Sequence, residues 1–282
     1  MSALSSTTTR VVAESADSVA FEAKHVHSIY DSIASHFSST RYKAWPMVRQ
    51  FVESLPAGAL MGDIGCGNGK NLCLRHDISS IGCDYSASLL KIASGQHLEV
   101  FRADGLNTSF RSGVFDAAIS IAVIHHFSTP ERRRDAIREL LRIIRPDGGR
   151  ALIYVWAKEQ PKLKGSMDVH GDVLVPWEMH KKFDADETVH GRYYHMFGSG
   201  ELETLCREVF EEVEPSAGSS TPTLSCSNDA QPNVVSSALR GSVRIEKSYF
   251  DKENWCVILQ RGGEEVVGTP QTSPPACKPP NE

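Results

Sequence analysis

No stretch of this 282-residue chain approaches the roughly 18 consecutive apolar residues that a membrane-spanning helix requires, and residues 1–20 lack the apolar centre of a signal peptide. Membrane and secretory classes are set aside on that ground, and a cytoplasmic or nuclear protein is expected. The seven cysteines are odd in number, scattered and never spaced CxxC. Neither a disulfide framework nor a metal site is therefore expected. A surplus of basic charge is missing too. With a formal net charge of −5, any face that binds nucleic acid must be local, because phosphates have to be met by cations the chain as a whole lacks. No internal repeat is visible.

What is present suits a single sizeable core, with 40% hydrophobic and 23% charged residues. Residues 1–17, rich in Ser, Thr and Ala, read as a flexible tail, and the proline-rich stretch 262–282 reads as another. One domain is expected over 18–261, interrupted near 215–237 by a low-complexity insertion of Ser, Thr, Pro and Asn.

Within that domain the pattern alternates. Helical periodicity covers Val19–Phe37 and Pro46–Ser54. Strands are expected at Ala59–Ile64, Ser80–Cys83, Leu98–Ala103, Phe115–Val123 and Arg150–Trp156, with helices at Asn68–Leu74, Ser86–Ala93 and Arg132–Ile144 between them. Alternation of this kind predicts an α/β fold with an open, mostly parallel sheet and helices on both faces. Lys158–Gly191 is long for a connection and reads as a disordered insertion or a lid. A helix at Gly200–Phe210 and two last strands, Val243–Tyr249 and Asn254–Gln260, complete the domain, the strands as an antiparallel edge hairpin.

The most informative segment is Asp63, Ile64, Gly65, Cys66, Gly67, Asn68, Gly69, Lys70, an acid followed by GxGxG directly after an apolar run. Glycines there let the backbone approach a ligand, and the helix expected next offers unpaired N–H groups to a carboxylate. The dinucleotide fingerprint GxGxxG puts its third glycine at position 70, where this chain has Lys70, so the spacing favours S-adenosylmethionine over a nicotinamide cofactor. Asp84 follows the second strand, placed to accept from ribose hydroxyls, and Asp104 follows the third, placed to accept from an adenine amino group. Three acids at three successive strand ends are more specific than any one. The loop resembles the first loop of class I, Rossmann-like SAM-dependent methyltransferases, which implies a seven-stranded sheet. Cofactor contacts are then expected from Asp63, Gly65, Gly67, Asn68, Gly69, Asp84 and Asp104. His125 and His126 follow the central strand, where donor and acceptor meet, and adjacent histidines without a third ligand make a poor metal site. His25 and His27 read as surface residues of the first helix.

A closer resemblance rests on longer segments: HSIYDSIA (His27–Ala34), TRYKAWP (Thr40–Pro46), ADGLN (Ala103–Asn107), SIAVIHHFST (Ser120–Thr129) with the ERRR helix, ALIYVWA (Ala151–Ala157), DVLVPW (Asp172–Trp177), RYYHMF (Arg192–Phe197) and ENW (Glu253–Trp255). Over about Val26–Gln260 the chain resembles the eukaryotic tRNA wobble-uridine carboxymethyl methyltransferases. It departs from them in the insertion at 215–237 and at Cys256, where a second aromatic is expected.

That resemblance implies methyl transfer from S-adenosylmethionine to the carboxylate of 5-carboxymethyluridine at the tRNA wobble position, giving the methyl ester. A carboxylate with a pKa near about 4 is ionised already, so positioning and electrostatics should dominate over base catalysis. Arg41 and His126 are then the first candidates for gripping the acceptor or ordering the donor. His125, Trp45, Trp177, Arg192, Tyr193 and Tyr194 are the candidates for substrate contact. The resemblance also implies tRNA as a partner, with Arg132, Arg133, Arg134 and the lysines of 158–182 as candidate phosphate contacts. It further implies a small zinc-binding activator subunit docked beside strand Leu98–Ala103. Two rival readings stay open: a methyltransferase acting on a small carboxylic acid, and a non-catalytic module that keeps the fold as a scaffold.

Overall fold

The computed structural model describes residues 17–160, 170–184, 186, 188–213 and 243–262. The central sheet has seven strands in the order β3-β2-β1-β4-β5-β9-β8, from β1 (Leu60–Ile64), β2 (Ser79–Asp84), β3 (Val100–Arg102), β4 (Ala117–Ile121), β5 (Arg150–Trp156), β8 (Val243–Asp251) and β9 (Asn254–Arg261). β1 to β5 run parallel, while β9 pairs antiparallel with both β5 and β8. This is the mostly parallel seven-stranded sheet that the resemblance implies. Every residue of β4 is buried, as a strand covered on both faces requires.

Alternate residues of β5 feed two cores. Ala151, Ile153 and Val155 pack with α5 (Pro130–Ile143) and α6 (Glu201–Val213); Leu152 and Tyr154 pack with Val48, Phe51 and Val52 of α3 (Pro46–Glu53) on the other face. Local chemistry sets the helix starts. α3 and α5 carry proline in the first turn, Thr129 accepts from Arg132 N at 3.3 Å, and Ser86 caps α4 (Ala87–Ser94) by accepting from Leu89 N at 3.2 Å. The hairpin β8–β9 turns through Lys252 and Glu253, both with positive φ (45° and 67°), as a tight two-residue turn demands.

Four expectations are corrected. Residues 68–74 form turns and not a helix, because Gly67 and Gly69 take φ of +55° and +79°, outside the helical region. The first helix is three pieces: α1 (Ser18–Glu22), a π-helical turn over Ala23–His27, and α2 (Ser28–Thr40). The central strand stops at Ile121, where Ala122 adopts φ 61°. Between 158 and 191 the chain contains a strand, β6 (Asp172–Glu178), which pairs antiparallel with β7 (Val189–His195) in a separate two-stranded sheet. Its Pro176 argues against a strand in the sequence, and a two-stranded ribbon tolerates it because each strand is an edge. The edge hairpin at the C-terminal end agrees with expectation. The insertion at 215–237, Lys162, Lys164 and nearly all of both expected tails lie outside the described residues.

Candidate active site

A cavity opens at the carboxyl ends of β1, β2 and β4, where the strand order reverses between β1 and β4. One end is built by the glycine loop. Gly65 has φ +81°, and a Cβ there would meet Val123 Cγ2 at 2.3 Å, so only glycine fits. A Cβ at Gly67 would find nothing nearer than Leu89 Cδ1 at 3.9 Å, which leaves open space over the loop. Asp84 fixes this loop from below: one carboxylate oxygen accepts from Gly67 N and the other from Ser86 N, each at 2.8 Å. Burial raises the Asp84 pKa against the pull of those two backbone donors. Asp104 accepts from Leu106 N at 2.9 Å and lines the same cavity.

The other end is a box of rings. The strained Ala122 turns the chain so that the short 3-10 turn Ile124–His126 presents both histidines beneath β7. His126 Nδ1 lies 2.8 Å from the Tyr193 carbonyl oxygen, which only accepts, so Nδ1 carries the proton. Nε2 must then accept, and the Tyr30 hydroxyl donates to it at 3.0 Å. With its proton engaged in that bond, Tyr30 accepts at 3.2 Å from Tyr194, whose hydroxyl is therefore the donor. Burial holds His126 near pKa 3, neutral throughout the physiological range. His125 is neutral as well, pushed well down by burial and by the neighbouring His126 and Arg192. Its Nδ1 accepts from Trp156 N at 3.1 Å, leaving the proton on Nε2.

Arg192 completes the box. Its side chain is buried, its guanidinium carbon sits 4.6 Å from the Trp177 ring centroid and 5.3 Å from that of Tyr194, and its only side-chain hydrogen bond among the described residues is a long one, 3.5 Å, from Nη1 to the Tyr30 hydroxyl. No carboxylate pairs with it among those residues.

Buried polar atoms without partners sort by type along the cavity. At the glycine loop they are acceptors, Asn71 Oδ1 and, just behind it, Asp63 Oδ1; at the ring box they are donors, His125 Nε2 and Arg192 Nε. Such orphaned groups are costly unless a ligand satisfies them. Acceptors beside a glycine cradle suit an amino-acid ammonium, and the acids after β2 and β3 suit nucleoside hydroxyl and amino groups. The residues present thus fit S-adenosylmethionine, whose parts are those.

Comparison with known proteins agrees. The methyltransferase domain family matches residues 62–152. The tRNA (carboxymethyluridine(34)-5-O)-methyltransferase of Schizosaccharomyces pombe is 37% identical over 259 residues, covering 86% of this chain and 99% of that one. The chain belongs to the tRNA (carboxymethyluridine(34)-5-O)-methyltransferase family. Its cofactor is S-adenosylmethionine. The Xenopus tropicalis enzyme named for the same activity is 36% identical over 290 residues, covering 85% of this chain and 41% of its own length, so this chain spans less than half of that relative. A Haloferax volcanii methyltransferase solved with the Trm112 methyltransferase activator shares the fold, with TM-score 0.51 and 16% identity over 85% of this chain and 99% of that one.

Of the positions singled out in the sequence of this family member, the cavity gathers Gly65, Gly67, Asn68, Asp84, Asp104, Arg41, Trp45, His125, His126, Arg192 and Tyr194. Asp63, Gly69, Trp177 and Tyr193 do not line it. Asp63 lies beneath the loop, pushed up to about 7 by burial, and Gly69 packs against Leu98. Trp177 backs Arg192 and donates from Nε1 to His36 at 3.2 Å, while Tyr193 acts on the cavity only indirectly, its carbonyl holding His126 Nδ1, and donates its hydroxyl to Asp172 at 2.8 Å. His27 is not a surface residue: it lines the cavity, its ring stacked on Tyr85 at 3.8 Å. Tyr30, Lys70 and Tyr85 were passed over in the sequence, although Lys70 stands where the third glycine is missing. Arg132, Arg133 and Arg134 are engaged within the fold, by Glu22, the Phe127 carbonyl, and Glu131 with Glu208.

Proposed function

We propose that this chain methylates the carboxylate of 5-carboxymethyluridine at the wobble position of tRNA, forming the methyl ester. The observation that carries the reading is Arg192, a buried guanidinium that faces the cofactor cavity with no carboxylate paired to it among the described residues. A charge in that position needs an anion, and burying it unpaired would cost several kcal/mol, roughly 3–5 by comparison with broken buried pairs. A substrate carboxylate meets that need.

When bound, S-adenosylmethionine supplies an electrophilic methyl group on a sulfonium, and an ionised carboxylate that receives it has no proton to lose. The protein residues are matched to that economy. Both histidines are neutral and burial raises the hydroxyls of Tyr193 and Tyr194, so neither pair supplies a strong base. Arg192 orients the acceptor oxygen. Because the acceptor loses its charge in the transition state, a grip that is too tight would slow the step. A guanidinium shared with the faces of Trp177 and Tyr194 is a moderated partner. Trp156, stacked on Tyr194 at 4.5 Å, walls the box on one side and excludes water.

For tRNA itself the reading relies on Arg41, Tyr42 and Lys43, all exposed, with the Lys43 ammonium 5.5 Å from the Tyr42 ring. These follow α2, and Arg41 lines the cavity. An exposed ring between cations suits a stacked base beside phosphates. The arginines of α5 are not needed for that task. A small zinc-binding activator is proposed at β3, the three-residue edge strand, where unpaired backbone groups are open to strand addition. A tRNA substrate goes with a cytoplasmic or nuclear site of action.

Nucleoside mass spectrometry tests the reading. Transfer RNA carrying 5-carboxymethyluridine, incubated with S-adenosylmethionine and this protein, alone and coexpressed with the activator, should gain one methyl group that mild alkali removes. Absence of that gain in both preparations, with cofactor binding demonstrated, overturns the assignment.

A further inference from the structure

His125 is the second orphan donor of the box, and nothing in the reaction as described uses it. Its side chain is wholly buried, its tautomer is fixed by the Trp156 N–H that Nδ1 accepts, and its Nε2–H has no acceptor among the described residues. A backbone contact with Ala122 favours the protonated ring, but no described acceptor stands in hydrogen-bond geometry to Nε2. The ring packs 4.8 Å from Tyr194, the same ring that Arg192 approaches to 5.3 Å, so both orphan donors flank one aromatic wall of the cavity.

We propose that His125 Nε2–H, acting with Arg192, makes this pocket select a carboxylate over the corresponding carboxamide on the wobble uridine. The inference rests on the function proposed above and adds the group that sets its specificity. A carboxylate has two oxygens and only accepts, so it satisfies both donors together. A carboxamide of nearly the same shape turns an NH2 toward one of them. That places donor against donor and leaves a buried N–H unpaired, the arrangement by which polar sites reject close analogues most strongly. Tyr30 cannot relieve the mismatch, because its oxygen already accepts from Tyr194 and Arg192 and its proton is committed to His126. The imidazole serves this purpose better than a second cation, since a neutral donor adds direction without further charge on an acceptor that must become neutral.

The test uses the full chain with its activator and two anticodon stem-loop RNAs, identical except that the wobble uridine carries 5-carboxymethyl or 5-carbamoylmethyl. The first is the methyl acceptor and the second a competitive inhibitor. Wild type should bind the acid at least roughly tenfold more tightly than the amide, the value of about one charge-assisted hydrogen bond. His125→Asn keeps an acceptor for Trp156 N but lacks the Nε2 donor, and the ratio of amide Ki to acid Kd should fall to within about threefold of unity. His125→Gln, whose amide nitrogen reaches the Nε2 position, should retain most of the preference. Cofactor affinity and melting temperature of each variant identify any that fails to fold, and the His125→Gln comparison then carries the test. If wild type prefers the acid and His125→Asn prefers it equally, Nε2–H has no part in selection and the inference is wrong. Equal binding of acid and amide by wild type also overturns it, while leaving the methylation reading intact. That reading fails separately, if wild type does not methylate the acid at all.

Discussion

The Arg192 guanidinium carbon lies 4.6 Å from the centroid of Trp177, a contact made between β7 and β6 across the small hairpin. The ring backs the cation, so Arg192 stays buried and directed without a carboxylate among the described residues. Arg192→Lys preserves charge but loses the planar fork and the flat stacking face. We expect kcat/KM for the tRNA acceptor to fall by roughly thirtyfold, about 2 kcal/mol, with the cofactor dissociation constant changed less than about twofold. An equal loss of cofactor binding in calorimetry would place Arg192 on the donor and not on the acceptor.

The relay from Tyr194 through Tyr30 to His126 has a consequence for acid stability. The folded pKa of His126 is near 3, below the roughly 6.5 of an unfolded histidine, so between those values the unfolded chain binds a proton that the native one refuses. Stability therefore falls as pH drops through that window and is fully present above about 6.5. Asp63, raised to about 7, acts in the opposite sense, since its native carboxyl keeps a proton that the unfolded chain releases. The histidine's share is thus a difference measurement. Urea midpoints of wild type and His126→Asn, taken in the absence of cofactor, should diverge at pH 7 and converge toward pH 5, at up to about 1.4 kcal/mol per pH unit. A gap that does not change with pH would show that His126 is not held neutral by the fold.

How much of this site could be read from the chain follows from the range of each interaction. Gly65 and Asp84 were legible because their signals are local: a backbone that only glycine can adopt, and an acid at the end of an apolar strand. The helix expected after the loop does not form for the same reason in reverse, since strand–helix alternation carries no sign of the positive φ of Gly69. His125 stands out by its place after the central strand, but its part in substrate contact, like that of Arg192, follows only from family likeness. Their roles depend on Tyr30 and Tyr194, 164 residues apart, meeting at one hydroxyl pair. His27 ends a π-helical turn, whose wider repeat regular helical periodicity does not anticipate.

Asp84 offers a clean test of the cofactor end. Its two oxygens hold Gly67 N and Ser86 N, so its removal disturbs the loop as well as any hydroxyl it receives. Asp84→Asn can keep only one of the two backbone bonds, because its NH2 meets an N–H donor at the other. Cofactor affinity measured by calorimetry should weaken by about ten- to a hundredfold, the loss expected of one or two charge-assisted bonds. Unchanged affinity would move the ribose contact elsewhere.

Glu22 decides whether the N-terminal helices belong to the site or merely cover it. Its carboxylate is 1% exposed and accepts from Ser128 N at 2.7 Å, Ser128 Oγ at 2.9 Å and, in two-pronged fashion, Arg132. Those bonds tie α1 to the loop that follows the two histidines, and the next turns of the same segment deliver His27 and Tyr30 to the cavity. Glu22→Ala removes the anion and leaves Arg132 and Ser128 N unpaired, at a cost of about 3–5 kcal/mol if the segment stays in place. Local release of the segment avoids most of that cost. The expected result is therefore a modest loss of global stability together with rapid amide exchange over residues 18–30, and a rise in cofactor dissociation rate of at least about tenfold. Exchange confined to α1, with cofactor retention unchanged, would show instead that Tyr30 keeps its place through His126 and Tyr194 alone.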